Sequence, residues 1–369
     1  MKRAMMFFFI LAVVLLANLY VFFRLWQMMP AVTLCRILLV TFAVAAVSSF
    51  FLYFLVGGRA PAWVTTFMYK LGTSWFFILL YLAMIFLLLD IVRFTRLVPM
   101  DFMRGSWTGL LSVAGVVTLL LVWGYVRYND KKRATLDIVA ENKVPAGRAV
   151  KIVAASDLHL GYGIGAKELE KWVELINAEN PDVVLFAGDV IDTSIKPLEE
   201  EGVAYIFRKI RSKHGVYAAP GNHEYISGID RSVRFLEEAG MTVLRDSSVL
   251  VDSTFYLVGR DDRSNRHRET IPALLATLDR SKPIVMLDHQ PYHLEEVEKN
   301  GVDLQISGHT HHGQVWPISL ITNIMYEDSY GYLKKGDSHI YVSSGLGIWG
   351  GKFRIGTRSE YVVTTLTGQ

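Results

Sequence analysis

The sequence predicts a protein of two parts, an all-α region of four transmembrane helices followed by an α/β domain. Hydrophobic residues make up 51% of the 369 residues, more than an ordinary soluble chain contains, and the excess lies in the first third. From about residue 149 onward, short apolar runs alternate with amphipathic stretches, which is the pattern of strands and helices in an α/β sheet. We therefore expect a transmembrane region at 1–126, a polar linker at 127–148 and the α/β domain at 149–369.

The transmembrane prediction rests on four stretches that carry no charged residue. Each holds about 20 residues, enough for a helix to cross a hydrocarbon core of about 30 Å. The stretches are Ala4–Phe23, Ile37–Gly58, Leu71–Leu89 and Gly105–Val126. Lys2 and Arg3 ahead of the first stretch also fit a signal peptide. No small-x-small cleavage site closes that stretch and three more follow it, so we expect an uncleaved anchor.

In the α/β part, polar blocks follow the predicted strands. Amphipathic helices are predicted at Lys167–Ala178, Glu199–Ser212 and Arg231–Ala239. Five apolar runs each end in a short polar block, at the position where open α/β sheets place their ligands. The blocks are Asp157-Leu158-His159, Gly188-Asp189, Gly221-Asn222-His223-Glu224, Asp288-His289 and Gly308-His309-Thr310-His311.

The composition of these blocks predicts a metal site. A single Gly-Asp is usually a turn, and a single His after a strand is usually a hydrogen-bonded core or surface residue. Here four of the five blocks contain histidine, and all ten histidines lie between His159 and His339. Carboxylates and neutral imidazoles suit Mn²⁺, Zn²⁺ or Fe²⁺. The one cysteine, Cys35, lies in the apolar region and offers no thiolate to such a site.

In order and spacing, the five blocks resemble the calcineurin-like metallophosphoesterase superfamily, whose pattern is D-x-H, G-D, G-N-H-[DE], a lone H and G-H-x-H. The resemblance covers about Lys151–Val363. Within the superfamily the chain looks most like the YkuE/YaeI branch of bacterial membrane-associated phosphoesterases. The residues that carry this likeness are Ser156–Gly161, Gly308–Gln314, Tyr341–Gly347, Arg354 and Glu360. The resemblance implies a fold of two facing mixed β-sheets flanked by helices. His312 stands where that branch usually has Gly, and we expect it to lie beside the site.

The resemblance also implies a set of ligands for two divalent metal ions, Mn, Zn or Fe. One ion would be held by Asp157, His159 and His311, the other by Asn222, His289 and His309, and Asp189 would bridge them. The implied reaction is hydrolysis of a phosphomonoester, phosphodiester or pyrophosphate bond by a metal-bound hydroxide, without a covalently modified side chain.

Two further residues receive roles from the resemblance. His223 would stabilise the transferring phosphoryl group or protonate the leaving oxygen, which an imidazole can do near neutral pH. Asp192 resembles the acidic partner that orients this histidine, although a residue of its type is as commonly a turn or helix cap. Glu224 is expected beside the ligands or in a solvated turn.

The charge distribution and the predicted membrane anchor limit the classes of partner and substrate. After Val126 the chain has 29 basic and 33 acidic residues, and its one basic cluster is Arg260–Arg268, so nothing indicates a nucleic-acid partner. That cluster is expected to be a solvated loop, with contact to anionic headgroups or substrate phosphate as the alternative. A phosphorylated lipid or lipid-linked substrate is favoured because the anchor holds the site near a bilayer. The alternative function is a catalytically silent phosphoesterase-fold module for signalling or scaffolding in a membrane sensor or transport protein.

The distribution of loop charges predicts the orientation of a multi-pass protein of the cell (inner) membrane. Four spans put both termini on one side. That side would hold Lys2, Arg3, Arg59, Lys70, Arg127, Lys131, Lys132 and Arg133, and the opposite loops would hold Arg24, Arg36, Arg93, Arg96 and Arg104. Eight basic residues against five favour a cytoplasmic catalytic domain under the positive-inside rule. The sequence leaves the oligomeric state open.

Overall fold

The structure is a computed structural model that describes residues 2–57, 59–140, 143–145 and 147–368. It divides into two compact units. Unit 1 comprises Met1–Tyr125 and Gly350–Phe353, and unit 2 comprises Val126–Trp349 and Arg354–Gln369.

The helices of the first part confirm the predicted all-α region. They are α1 (Lys2–Met28), α2 (Thr33–Val56), α3 (Ala62–Val92), α4 (Met100–Met103) and α5 (Trp107–Asn129). Four helical segments, Phe8–Met28, Thr33–Val56, Ala62–Thr95 and Trp107–Asn129, are long and apolar enough to cross a membrane. Lys2 and Arg3 contribute to the predicted signal-peptide pattern and to the predicted loop charge. Their side chains lie outside the described part of the structure.

Close helix packing and a few polar pairs hold these helices together. A Cβ on Gly72 of α3 would come within 2.6 Å of the backbone nitrogen of Phe50, so the missing side chain lets α2 and α3 approach closely. The Trp75 indole N–H donates to the Asn18 side-chain oxygen at 2.9 Å, joining α3 to α1. This hydrogen bond satisfies two polar side chains inside the bundle, as a low-dielectric setting requires.

Unit 2 contains two six-stranded mixed sheets. Its strands are β1 (Lys132–Val139), β2 (Ala149–Ala155), β3 (Val183–Ala187), β4 (Val216–Ala219), β5 (Thr242–Val243), β6 (Ser247–Val251), β7 (Phe255–Gly259), β8 (Ile284–Leu287), β9 (Leu304–Ser307), β10 (Gly331–Lys335), β11 (Ser338–Val342) and β12 (Glu360–Thr367). The first sheet has the order β1-β12-β2-β3-β4-β5 and the second β10-β11-β9-β8-β7-β6. Strands β2, β3 and β4 are parallel, as are β7, β8 and β9.

The helices of unit 2 are mostly short. They are α6 (Ala166–Ala178), α7 (Lys196–Glu200), α8 (Val203–Phe207), α9 (Asn222–Ile226), α10 (Ile229–Glu238), α11 (Ile271–Leu275), α12 (Leu294–Lys299) and α13 (Ile318–Met325). The single helix predicted over Glu199–Ser212 is wrong, since α7 and α8 are separate. Gly202 lies between them with φ 66°, a left-handed conformation that ends the first helix.

Alternation along the strands builds three apolar layers. Val150 and Ile152 of β2 face a core shared by both sheets, together with Val285 and Leu287 of β8. The intervening Val153 of β2 instead joins the cluster that includes buried residues of α6, α8 and α10. Ile284 and Met286 of β8 likewise join a third cluster with residues of α11 and α12. The two sheets therefore face each other with helices outside, which confirms the predicted fold class.

The segment predicted as a linker, 127–148, differs from that expectation because it contains β1. This strand pairs in parallel with β12 over eight residues, from Lys132 with Glu360 to Val139 with Thr367. Its residues Ala134, Leu136 and Ile138 are buried, and those between them are exposed. Three apolar side chains that alternate with polar ones do not make a long apolar run, yet they suffice for a half-buried edge strand.

Candidate metal centre

The predicted site residues lie in five loops at one edge of the two facing sheets. Asp157 and His159 follow β2, Asp189 follows β3, and Asn222 begins α9 shortly after β4. His289 follows β8, and His309 and His311 follow β9. The carboxyl ends of parallel neighbours meet at the same sheet edge, so residues far apart in sequence come together.

Five of the seven predicted metal ligands have left-handed backbone conformations. The φ angles are 53° at Asp157, 48° at His159, 52° at Asp189, 71° at His309 and 50° at His311. A non-glycine residue at such an angle is uncommon, and the cost must be offset by surrounding structure. Backbone strain of this kind concentrates at functional sites, and here it coincides with the predicted ligands.

One group of side chains matches the first predicted ligand set. The ligand atoms of Asp157, His159 and His311 all lie within 4.8 Å of one another. The Nε2 atoms of His159 and His311 are 3.0 Å apart, and Asp157 Oδ1 lies 3.6 Å from His311 Nε2. Two imidazole nitrogens and a carboxylate oxygen that converge in this way could hold a divalent ion.

A second group lies beside the first and shares a carboxylate with it. Asp189, His289 and His309 offer ligand atoms within 4.8 Å of one another. Asp189 Oδ2 is 3.1 Å from His289 Nε2 and 3.7 Å from His159 Nε2 of the first group. Asn222 Oδ1 is buried and accepts no hydrogen bond among the described residues. The carboxylate of Asp189 thus lies between the two groups, where a bridging ligand would be.

The residues fit metal ions because two buried polar atoms, one in each predicted ligand set, have no hydrogen-bond partner in the described part of the chain. These atoms are His311 Nδ1 and Asn222 Oδ1. Buried polar atoms of this kind are costly unless an ion or a water molecule satisfies them.

The surroundings of two predicted ligand histidines lower their pKa values, so that a ring nitrogen of each has a free lone pair. Burial, together with the neighbouring His289, lowers the pKa of His309 to about 4. Burial and His159 likewise hold the pKa of His311 well below its usual value. Both imidazoles are therefore neutral near pH 7, the form that binds a metal.

His223 and Asp192 form a buried pair next to the first group. His223 Nδ1 lies 3.0 Å from Asp192 Oδ1, and the His223 ring meets the His159 ring edge-on with centroids 4.5 Å apart. Burial lowers the pKa of His223, but Asp189 and Asp192 outweigh it and raise the pKa to about 9. Asp192 Oδ1 also lies 3.4 Å from His159 Nδ1, and His159, Asp192 and His223 make a third group of possible ligands.

Comparisons with known proteins show the family of the chain. The sequence model of the family described as "Calcineurin-like phosphoesterase" matches residues 150–313. The chain is 34% identical over 269 residues to an uncharacterized metallophosphoesterase of Helicobacter pylori (strain J99 / ATCC 700824), covering 70% of this chain and 72% of the relative. The chain belongs to the calcineurin-like metallophosphoesterase family.

Two other relatives are relevant to the predicted branch of the family and to the predicted transmembrane region. The uncharacterized metallophosphoesterase YkuE of Bacillus subtilis (strain 168) is 29% identical and covers 72% of this chain and 96% of its own length. A transmembrane protein with metallophosphoesterase domain from Danio rerio is 26% identical and covers 88% of this chain and 78% of its own length. The predicted family is confirmed, its relatives include YkuE, and one relative is described as a transmembrane protein, in agreement with the four apolar helices.

Glu224 of this metallophosphoesterase holds the backbone around a predicted ligand. It is fully buried, and its carboxylate accepts hydrogen bonds from the backbone N–H groups of Asp189, Ile191 and Gly221 at 2.9, 2.9 and 2.7 Å. The expectation of a solvated turn was wrong, and the expectation of a position beside the ligands was right. The sequence signal for this role is the place of Glu224 as the third residue of α9, after the N-cap Gly221. A Glu at that position often accepts a hydrogen bond from the backbone N–H of the N-cap residue.

Arg354 is a second buried residue that holds the backbone near a predicted ligand. Its guanidinium is fully buried and donates to the backbone oxygens of His311 at 2.7 Å, Ser344 at 2.5 Å and Gly347 at 3.1 Å. Burial lowers its pKa to about 10, so it remains charged near neutral pH. Arg354 thereby holds the chain at a predicted ligand, His311, against the loop after β11.

The basic cluster Arg260–Arg268 is a loop that is solvated only in part, since Arg263, Arg266 and His267 are exposed whereas Arg260 and Arg268 are half-buried. Arg260 and Arg268 each donate to a different oxygen of buried Asp288, both at 3.0 Å. Asp288 precedes His289, so the two guanidinium groups fix the loop that carries a predicted ligand. Removing one partner of such a buried ion pair is strongly destabilising, because it leaves an uncompensated buried charge.

His312 lies beside the ligands, as expected. Its ring stacks on Tyr330 with centroids 4.5 Å apart and an angle of 11° between the ring planes. Burial lowers its pKa, which favours the neutral ring.

Proposed function

We propose that this chain is a membrane-anchored phosphoester hydrolase that uses two divalent metal ions. The observation that carries the proposal is the pair of adjacent ligand groups that share Asp189. Asp157, His159 and His311 would hold one ion, and Asn222, His289 and His309 the other. Divalent ions bound there would supply the positive charge that acidifies a water molecule and neutralises the oxygens of a phosphoryl group.

The side chains around these groups support separate roles for a bridging carboxylate, a general acid and a residue that positions the acid. The backbone N–H of His223 donates to Asp189 Oδ1 at 2.8 Å, so the proposed bridging carboxylate and the proposed acid are held together. Asp192 engages Nδ1 of His223 through both its carboxylate and its backbone oxygen, the latter at 3.1 Å. The opposite ring nitrogen, Nε2, is then the one that can give a proton to the leaving oxygen. Asp192 would act as a positioning residue.

For the substrate, we propose a phosphorylated lipid or a lipid-linked phosphoester. The support is the combination, in one chain, of a phosphoesterase-family domain and four helices of membrane-spanning length. A membrane anchor raises the encounter rate with substrates that reside in the same bilayer. The metals proposed are Mn²⁺, Zn²⁺ or Fe²⁺, since oxygen and imidazole ligands suit all three.

Full-length protein purified in detergent would test the proposal. We expect Mn²⁺-dependent hydrolysis of bis-p-nitrophenyl phosphate or p-nitrophenyl phosphate that stops when a chelator is added. Asp189→Asn should lose bound metal, measured by elemental analysis, together with activity. Asp137→Asn is a matched control, because Asp137 is exposed on β1. A folded, metal-loaded protein that hydrolyses no monoester, diester or pyrophosphate would instead favour a silent signalling or scaffold module.

A further inference from the structure

Helix α13 of unit 2 exposes its apolar side chains and buries a polar one. Leu320, Ile321, Ile324 and Met325 are exposed, and Ile324 keeps 86% of its surface accessible. The buried residue of α13 is Ser319. A helix that packs on a soluble core shows the opposite arrangement, with its apolar stripe inward.

This exposure is concentrated in one place. Among the described residues of unit 2, eleven large hydrophobic side chains are exposed, and five of them lie within the ten residues 316–325. The five are Trp316, Leu320, Ile321, Ile324 and Met325, which we call the α13 patch. No charged residue occurs from Gly313 to Tyr326. Scattered exposed apolar residues are normal, but a contiguous uncharged patch indicates a surface that something apolar covers.

The α13 patch adjoins the candidate metal centre at its carboxyl end. His311 lies five residues before Trp316. At the other end, the ring of Tyr326 lies 6.3 Å from the ring of the predicted ligand His309. The carboxyl end of the patch therefore lies close to one predicted ligand, and its start follows another closely in the sequence.

A cation borders the apolar surface. The Tyr292 hydroxyl donates to the Tyr326 hydroxyl at 3.1 Å, and the guanidinium of Arg263 lies over the Tyr292 ring at 4.2 Å. Arg263 is exposed. An apolar helix face with an aromatic residue at its start and a basic group at its rim is typical of helices that lie in the membrane interface.

A candidate membrane span leads directly into unit 2. Helix α5, a candidate span, ends at Asn129 and β1 begins at Lys132. Three Cα–Cα steps of about 3.8 Å can separate these residues by at most about 11 Å. If α5 spans a bilayer, so short a connection keeps unit 2 near the bilayer surface.

We infer that the α13 patch docks into the interfacial layer of the lipid bilayer, next to the entrance of the candidate metal centre. The inference does not depend on hydrolysis, because it concerns the surface that covers α13. A helix docked in this way buries its apolar side about 5–10 Å into the boundary between headgroups and acyl chains.

Site-directed spin labelling of the full-length chain in vesicles of phosphatidylcholine and phosphatidylglycerol would test this inference. In a Cys35→Ser background, labels at Ile324→Cys and, separately, Met325→Cys probe the patch. Tyr205→Cys on α8 is the control, because Tyr205 is 68% exposed and lies outside the patch. Collision rates are measured with oxygen, which partitions into lipid, and with a water-soluble nickel chelate.

We expect the ratio of oxygen to nickel collisions to be several-fold higher at residues 324 and 325 than at residue 205. Equal ratios at the three positions would overturn the inference. Labels at 324 and 325 that are shielded from both reagents would also overturn it, because a protein surface rather than lipid would then cover α13. Metal content and the thermal unfolding midpoint of each labelled chain show whether the domain has remained folded.

Discussion

The Oε2 atom of Glu224 accepts a hydrogen bond from the backbone N–H of Asp189 at 2.9 Å. The same oxygen accepts from Gly221 N at 2.7 Å, so one carboxylate ties the loop after β3 to the loop after β4. It thereby fixes the backbone of the proposed bridging ligand in its left-handed conformation. A Cβ on Gly221 would overlap the Asp189 carboxylate, so the two loops are already as close as they can be.

Replacing Glu224 with Ala should weaken both the fold and metal binding. Three buried backbone N–H groups would lose their acceptor, at a cost of about 1–3 kcal/mol for each group left unsatisfied. Loss of such a support typically lowers metal affinity by about 10–100-fold. Thermal unfolding with and without Mn²⁺, and metal titration, would measure the two effects. Glu237→Ala, on an exposed position of α10, is the control, and equal behaviour of both variants would contradict the assigned role.

His223→Ala should separate proton transfer from metal binding. We expect the variant to keep its metals and to lose rate by about 10²–10⁴-fold, the usual contribution of a positioned proton-transfer group. Elemental analysis and steady-state kinetics on p-nitrophenyl substrates give the two readouts. His267→Ala removes an exposed histidine and should change neither. A His223→Ala protein without metal would show that His223 is a ligand, as the third group of possible ligands also allows.

Arg354→Leu should destabilise unit 2 without touching any predicted ligand side chain. The backbone oxygens of His311, Ser344 and Gly347 would each lose a charged donor in a buried setting. At about 1–3 kcal/mol for a buried group left unsatisfied, we expect a loss of roughly 3 kcal/mol or more. Calorimetry or fluorescence-detected unfolding of the metal-loaded chain would measure it. Arg358→Leu, at an exposed position, should unfold close to wild type.

The side of the membrane that carries the domain is a further prediction. Eight basic residues against five in the predicted loops favour the cytoplasm. A reporter is best fused after the carboxyl end of the chain, because β1 begins at Lys132 and a fusion near Arg133 would cut the sheet. Green fluorescence without alkaline phosphatase activity would support the cytoplasmic side. The reverse pattern would place the domain outside and exclude nucleotide-linked precursors made in the cytoplasm as substrates.

Sequence patterns identified the apolar helices and the five polar blocks because each is a local signal. Helix length and lack of charge fix α1, α2, α3 and α5, and strand-end motifs identify residues such as Asp157 and His309. The contributions of Glu224 and Arg354 were harder to find, because their partners are backbone groups, mostly in other loops. Only the hydrogen bond from Gly221 to Glu224 has a local sequence signal, the third position of α9. Strand β1 was missed since only three buried side chains mark it, and its partner β12 begins more than two hundred residues later.

That distant pairing has a consequence for how the domain forms. β1 is bonded within its sheet to β12, and β2 is bonded to β12 on the other side. Until residues 360–367 arrive, the strand that leads out of α5 has no neighbour, and β2 has an open edge. Long-range closure of this kind slows folding. The sheet that follows α5 therefore stays unfinished until the last strand is present, and removing 360–367 would leave β1 unpaired at the start of the domain.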